Sequence, residues 1–289
     1  MIETNLFISI AAVAFLWTSV LLLDLNGNHL LFLSLQVFFS TWFIYQVSRW
    51  IYFKKGAYGN SEELVMLWFQ KHPRLNQSAI VLSGVLTLVF TVLLNWKTIA
   101  VLCVIGGISI LYPFPFLKPF GIETRLRDIP YIKVFLIAFV WSVTSVILPA
   151  TEDNVNLTER KDVLLLLVAQ FIFILFITLP FDINDAEVDK KMQVKTIPSV
   201  LGVRASQYIC LALGVLYGIV LLYLFMIENW RSISHIYLSE WTIVFSWLLL
   251  LFLQFYTFKW SDKVSKWMIK IIYDGSMIVY FFIVYFTLK

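Results

Sequence analysis

The sequence predicts an all-α membrane protein with nine transmembrane helices. Of its 289 residues, 60% are hydrophobic and only 14% are charged, whereas about a quarter of the residues of a soluble globular protein are charged. Most of the hydrophobic residues fall in runs of about 17 to 25, the length that crosses a bilayer as a helix. The cationic residues are also distributed unevenly between alternate loops. Together these observations exclude an ordinary soluble domain.

The apolar runs define the predicted helices in order. They cover residues 5–23, 30–52, 78–96, 98–114, 131–150, 162–180, 207–227, 241–258 and 269–288. The first run lacks a basic start and a small-residue cleavage site, so we interpret it as a true span and not as a signal peptide. Cys103 and Cys210 both lie inside apolar runs, which indicates core residues and not a disulfide or a metal site. We expect residues 1–289 to form one transmembrane domain.

The loop charges predict the orientation. Of the 22 Lys and Arg residues, 17 follow even-numbered spans and five lie on the opposite side. Because Lys and Arg concentrate in cytoplasmic loops, the N-terminus is predicted inside and the C-terminus outside. We therefore expect a multi-pass protein of the inner (cytoplasmic) membrane.

Three aspartates follow the sixth span, in the stretch LPFDINDAEVDKKMQVKTIPSVLG (179–202). Proline is accepted in a first helical turn, so a helix can restart after Pro180. Asp182, Asp185 and Asp189 are then spaced i, i+3 and i+7 and share one face. Three like charges there repel each other, and a divalent cation removes the conflict. Mg²⁺ prefers carboxylate and phosphate oxygens, so this face suits a Mg²⁺-bound diphosphate that carries a lipid tail.

A solvated loop explains the same acids without a ligand. Glu187 and Lys191 form an i,i+4 pair, and charge balance alone accounts for acids beside lysines in a polar segment. Against this, Gln193 and Thr196 extend the aspartate face if the helix continues that far.

The residues from 185 to 202, DAEVDKKMQVKTIPSVLG, distinguish these readings. They resemble the second aspartate-rich motif of the UbiA superfamily of intramembrane prenyltransferases: two aspartates four apart, a glycine, Lys-Thr or Lys-Ser, a short apolar run and a glycine. The positions that match in order are Asp185, Asp189, Lys195, Thr196 and Gly202. Gln193 replaces the first glycine of that pattern. The segment 111–142 also looks like the tyrosine-ending fourth helix and lysine-opening fifth helix of the superfamily.

The resemblance implies a fold and an activity. The fold is a nine-helix bundle around a central lipid-facing cavity, with the active-site loops in the cytoplasm. The activity is Mg²⁺-dependent transfer of an isoprenyl group from its diphosphate to a lipophilic acceptor. Asp185 and Asp189 would be catalytic and would bind Mg²⁺ together with Asp182. The expected partners are the isoprenyl diphosphate donor, the acceptor and membrane lipids, with no nucleic acid.

Basic residues near this motif are candidates for binding the diphosphate. Lys195 lies within the motif, Lys133 opens the fifth helix, Arg127 precedes it, and Arg49 ends the second helix. Arg and Lys are both suited to phosphate. All four also have a plainer explanation as cytoplasmic anchors that set the topology.

The first aspartate-rich motif of the superfamily is missing. Gln46 stands about where its asparagine is expected, and no aspartate occurs between Asp24 and Asp128. Three explanations remain open. Cations such as Arg49, Lys54 or Lys55 bind the diphosphate; or Glu62 or Glu63, which lie too far along the chain to match the motif by spacing, folds back as a ligand; or catalysis has been lost. In the last case the protein is a noncatalytic UbiA-like membrane protein that binds a lipid or a partner.

Two other classes fit the sequence less well. A CDP-alcohol phosphotransferase needs a DG…AR stretch before its later aspartates, and none precedes Asp182. A secondary transporter usually carries charged or broken spans near the midplane, whereas the spans here are clean at their centres.

Overall fold

The computed structural model of the chain describes residues 5–27, 29–55, 68, 71–112, 126, 129, 131–191, 194–231, 238–260 and 264–288. The long helices in these ranges are α1 Leu6–Leu22, α2 Leu30–Lys55, α3 Pro73–Thr91, α4 Trp96–Leu111, α5 Ile132–Glu152, α6 Lys161–Lys191, α7 Val203–Arg231, α8 Glu240–Trp260 and α9 Lys266–Thr287. The described ranges contain no β-strand. The prediction of an all-helical chain is therefore confirmed for them.

Seven of these helices are long and apolar enough to cross a membrane. The other two, α1 and α4, are apolar but have only 17 and 16 residues. At 1.5 Å per residue they reach about 25 Å, slightly less than the roughly 30 Å of a bilayer's hydrocarbon core. Length and composition thus support seven of the nine predicted spans.

The centre of the bundle is formed by α1, α5, α6 and α9. Helix α1 packs against α2, α5 and α9, while α6 packs against α5 and α7. Ala11 and Phe15 of α1 are fully buried. The alanine is small enough to let a neighbouring helix backbone approach closely, and the Phe15 ring packs on that of Phe173 in α6, with the centroids 5.7 Å apart. In contrast, most of the α3 surface is exposed, which suits a peripheral helix in contact with lipid.

Helices α7 and α8 also approach closely, through two glycines of α7. Gly214 and Gly218 are four residues apart and lie on one face, as small residues do at helix contacts in membranes. A Cβ atom on Gly218 would lie 2.5 Å from the ring of Trp247 on α8. Because Gly218 has no side chain, the indole ring of Trp247 packs directly against the backbone of α7.

Helix α6 differs from the sequence prediction, because it does not end at Pro180. It continues to Lys191, with the proline inside it. A proline within a helix has no N–H for the carbonyl oxygen four residues earlier, which here belongs to Phe176. The Cys210 thiol of α7 donates to that oxygen at 3.4 Å. Neighbouring side chains commonly satisfy such groups in membrane helices, so α6 continues and carries all three motif aspartates.

Candidate active site

The three aspartates occupy the last turns of α6. Asp182 is buried, whereas Asp185 and Asp189 are half-buried. The spacing predicted from the sequence is therefore realised on one continuous helix. The C-terminal end of a helix carries partial negative charge, so carboxylates are unfavourable there. This arrangement requires positive charge from outside α6.

Lys133 supplies part of that charge. It lies in the first turn of α5, and its ammonium group forms a hydrogen-bonded ion pair with Asp182 Oδ1. A helix N-terminus carries partial positive charge, so a lysine is unfavourable there in its turn. The pair thus relieves two unfavourable charges at once. It also joins α5 to α6 at the end of the bundle that we call the aspartate end.

Lys266 supplies further positive charge, although no role at the site was predicted for it from the sequence. This residue opens α9, and its Nζ lies 2.6 Å from Asp185 Oδ1. The Asn184 side-chain amide of α6 donates to the Val264 carbonyl just before α9, at 3.1 Å. A lysine in the first turn of a helix is the signal that could have identified it, because the helix dipole disfavours a cation there.

Asp189 is the third carboxylate, and it contacts the segment after α6. The Thr196 side chain hydrogen-bonds to it, and the charge of Lys133 acts on it. Thr196 also caps the one-turn helix Ile197–Leu201. The aspartate stripe does not continue along a helix to Thr196, as the sequence suggested, because α6 ends at Lys191. Instead, the Val194 N–H donates to the Asp189 carbonyl at 2.9 Å, and Thr196 reaches the Asp189 side chain from there. Gln193 lies outside the described residues.

The same segment passes the start of α5. The Tyr131 backbone N–H donates to the Lys195 carbonyl at 3.1 Å, which ties the residues after the motif to the helix that carries Lys133. The Lys195 side chain itself is exposed. Its position at the aspartate end leaves its ammonium group accessible to a ligand.

Three buried carboxylate oxygens at this site have no hydrogen-bond partner among the described residues: Asp182 Oδ2, Asp185 Oδ1 and Asp189 Oδ2. Asp185 Oδ1 does have the ion-pair contact with Lys266. A buried acceptor without a partner is unfavourable. No three His, Cys, Asp or Glu side chains in the described ranges lie close enough together to hold a metal, and Asp182 and Asp185 each contact a lysine. The hard oxygen donors and the unpartnered atoms nevertheless fit the chemistry of Mg²⁺.

Helix α2 brings a different set of residues to the bundle. The Arg49 charge acts on Tyr45 and on Asp274 of α9. Gln46, at the expected place of the first motif, is fully buried and accepts a hydrogen bond from the Asn5 side chain at 3.2 Å. This contact ties α2 to the start of α1. The other candidates from the sequence, Arg127, Glu62, Glu63 and the side chains of Lys54 and Lys55, lie outside the described residues.

An aromatic cluster begins at the residue before Asp182. Phe181 precedes Asp182, and its ring centroid is 6.1 Å from that of Tyr273 on α9. The Tyr256 ring of α8 lies 6.2 Å from the Tyr273 ring. The Tyr273 hydroxyl is 2.7 Å from the Thr257 hydroxyl. These contacts link α6, α8 and α9.

The family model of the UbiA prenyltransferase family matches residues 73–282, which include α3 to α8 and most of α9. This chain belongs to the UbiA prenyltransferase family. The match covers the segment with Lys133, the α6 aspartates and Lys266. The superfamily resemblance noted in the sequence is thereby confirmed. No curated protein sequence matches the chain significantly.

Solved structures of UbiA homologues share the fold. The apo structure of a homologue from Aeropyrum pernix K1 has a TM-score of 0.70 at 12% identity, covering 96% of each chain. A homologue from Archaeoglobus fulgidus bound to GPP and Mg²⁺ has a TM-score of 0.65 at 18% identity, covering 98% of this chain and 99% of that one. A structure of a UbiA homologue from Archaeoglobus fulgidus bound to DMAPP and Mg²⁺ has a TM-score of 0.62 at 17% identity, covering 99% of each chain. At these identities the likeness establishes the fold of a UbiA bundle.

Proposed function

We propose that this protein transfers an isoprenyl group from its diphosphate to a lipophilic acceptor in the membrane, with Mg²⁺ as the cofactor. One observation carries the proposal: carboxylates at the C-terminal end of α6 meet lysines at the N-terminal ends of α5 and α9. The α6 end attracts a cation, and the other two ends attract an anion. A metal diphosphate supplies both. The homologue bound to GPP and Mg²⁺ supports this ligand class.

The residues have distinct roles in this proposal. Asp182, Asp185 and Asp189 hold Mg²⁺, which supplies electrostatic stabilisation of the leaving diphosphate. Of these, Asp185 and Asp189 are the catalytic pair. The basic residues proposed to neutralise phosphate charge are Lys133, Lys195, Arg127 and Arg49.

The reaction places charge on both halves of the donor. When the allylic C–O bond breaks, its electron pair stays with the diphosphate and the isoprenyl carbon becomes cationic. Phe181 precedes Asp182 in the chain and its ring packs against that of Tyr273, and aromatic faces are suited to stabilise such a cation. A nucleophilic carbon or oxygen of the acceptor then forms the new bond and loses its proton. The apolar bundle keeps water from intercepting the cation.

The charge distribution supports a topology as well. The motif carries Lys190 and Lys191 at the end of α6, Arg204 begins α7, and Lys266 begins α9. All are on the side predicted to be cytoplasmic. We therefore place the aspartate end of this single-domain bundle at the cytoplasmic face of the inner membrane. A cysteine introduced at Lys191 should react with an impermeant maleimide in inverted vesicles and not in intact cells.

A thermal-stability titration tests the proposed function. The full-length protein in detergent is heated with geranyl diphosphate, with and without Mg²⁺. A ligand at a hundredfold excess over its dissociation constant stabilises the folded state by about 2.7 kcal/mol. We expect this gain to require Mg²⁺ and to be absent from Asp185→Ala combined with Asp189→Ala. The exposed acid Glu187 lies between these positions, so Glu187→Ala is the matched control and should keep the response.

The bond between Gln46 and Asn5 favours one rival function. It shows Gln46 in a structural contact, as expected of a UbiA-like protein that has lost the first metal site and binds a lipid or partner without catalysis. The same titration distinguishes the two functions. Stabilisation by geraniol or a phospholipid that is independent of Mg²⁺, with no response to the diphosphate, would support the rival.

A further inference from the structure

Lys266, like Lys133, pairs with a carboxylate that is proposed to bind Mg²⁺. Its Nζ lies 2.6 Å from Asp185 Oδ1, and Asp185 is one of the proposed Mg²⁺ ligands. A divalent cation and an ammonium group repel each other strongly at the distances that one carboxylate imposes. The metal and Lys266 therefore compete for the same oxygen.

The lysine side chain is able to leave Asp185 without unfolding the site. Both partners keep part of their surface exposed, at 21% for Lys266 and 26% for Asp185. Lysine has a flexible four-carbon stem and three donors. The backbone of its segment is held independently, because Asn184 binds the Val264 carbonyl. Movement of the ammonium group alone leaves that contact in place.

Lys133 and Lys266 differ in this respect. Lys133 pairs with the deeply buried Asp182, where loss of the cation would leave a buried carboxylate without compensation. Lys266 pairs with a carboxylate near the surface. The second pair is therefore the one suited to exchange during ligand binding.

We propose that Lys266 exchanges ion-pair partners in the reaction cycle. Before the metal binds, its ammonium group neutralises Asp185; when the metal binds Asp185, the lysine side chain moves and its ammonium group contacts the donor's diphosphate instead. This inference rests on the proposed function. Lys266 then weakens binding of the metal alone and contacts the diphosphate directly when both ligands are bound. This chain lacks the first aspartate motif and therefore the positive charge of a metal bound there. The Lys266 ammonium group replaces part of that charge.

The exchange predicts effects of opposite sign from one substitution. In Lys266→Gln the competitor for Asp185 is gone, so Mn²⁺ alone should bind several-fold more tightly than to the unsubstituted protein. Geranyl diphosphate in saturating Mn²⁺ should bind about tenfold more weakly, the loss expected for one charge-assisted hydrogen bond. An ion pair whose lysine never contacts the diphosphate would also strengthen metal binding when it is removed, but it would not weaken diphosphate binding; unchanged diphosphate affinity would therefore overturn the exchange.

The experiment uses the full-length protein in detergent. Free Mn²⁺ is measured by electron paramagnetic resonance, and geranyl diphosphate binding by isothermal titration. Lys266→Arg should restore diphosphate binding, because it keeps the charge and the donors. Lys191→Gln removes an exposed lysine from the same end and should leave the Mn²⁺ affinity within about twofold, because the charge of a solvent-exposed side chain is screened by salt.

A double substitution locates the effect. Adding Lys266→Gln to Asp185→Asn should give no further gain in Mn²⁺ affinity, because the contested carboxylate is already absent. If the unsubstituted protein binds the diphosphate with Mn²⁺ but Lys266→Gln leaves both affinities unchanged, partner exchange is wrong and the proposed function stands. If the unsubstituted protein binds no diphosphate, the proposed function is wrong and the exchange with it.

Discussion

The Cys210 thiol of α7 donates a hydrogen bond to the Phe176 carbonyl oxygen of α6, with the sulfur and oxygen 3.4 Å apart. This is the oxygen that Pro180 leaves without a helical partner. The contact therefore lies at the point where α6 continues beyond its apolar run and carries the aspartates onward. The Phe176 carbonyl oxygen thus links buried Cys210 of α7 to the helix that carries the three aspartates.

Cys210→Ala should lower the free energy of unfolding by about 1 kcal/mol, because a buried carbonyl loses its donor. Cys210→Ser keeps a donor at the same place and should be closer to the unsubstituted protein. In a Pro180→Ala background the chain regains its own N–H, so the effect of Cys210→Ala should shrink. Thermal unfolding in detergent measures the unsubstituted protein, the three single variants and the double variant. Equal effects in both backgrounds would show that the thiol contributes only packing.

Gly218→Ala should destabilise the protein by about 1–3 kcal/mol, the usual effect of overpacking a well-packed contact. The added methyl group would lie 2.5 Å from the Trp247 ring, and a rigid indole cannot yield easily. Gly106→Ala on α4 is the matched control, because no described atom lies within 4 Å of a Cβ there. It should be neutral or slightly stabilising, since alanine favours a helix over glycine. Similar midpoints for both variants would contradict close packing of α7 on α8.

The sequence was sufficient to predict the helices and the aspartate face, because both depend on local periodicity. It was not sufficient to find Lys266, which meets Asp185 across 81 positions of chain. Apolar spans pack in ways that hydropathy does not encode, so a lysine at a helix start looks like an ordinary topology signal. The continuation of α6 through Pro180 was missed for the same reason: the donor that permits it, Cys210, is on another helix.

Gln46→Ala should lower the free energy of unfolding by about 1 kcal/mol and leave the Mg²⁺ dependence of geranyl diphosphate binding unchanged. Its side chain is fully buried and accepts a hydrogen bond from Asn5 at 3.2 Å, and removal leaves a buried donor without that partner. Asn5→Ala removes the other side of the same bond and should give a similar loss. Thermal unfolding and diphosphate titration measure the two effects separately. A weaker metal requirement in Gln46→Ala alone would assign this residue to the metal site.

Lys133→Met should lower the free energy of unfolding by about 2 kcal/mol, because it leaves the carboxylate of Asp182 buried and unpaired. Asp182 is only 2% exposed, so water cannot replace the ammonium group. Asp182→Asn removes the charge that the lysine compensates and should be less harmful in combination with Lys133→Met than the two single losses predict. A double-mutant cycle of unfolding free energies measures this coupling.

The same cycle separates stability from ligand binding at this pair. Lys133→Met should also weaken geranyl diphosphate binding in saturating Mg²⁺, whereas adding Asp182→Asn should restore stability without restoring binding. The reason is that the asparagine satisfies the buried position but supplies neither the cation that Lys133 offers the phosphate nor the carboxylate proposed to bind Mg²⁺. Recovery of both properties in the double variant would show that Lys133 acts only through Asp182, as a structural partner with no contact to the diphosphate.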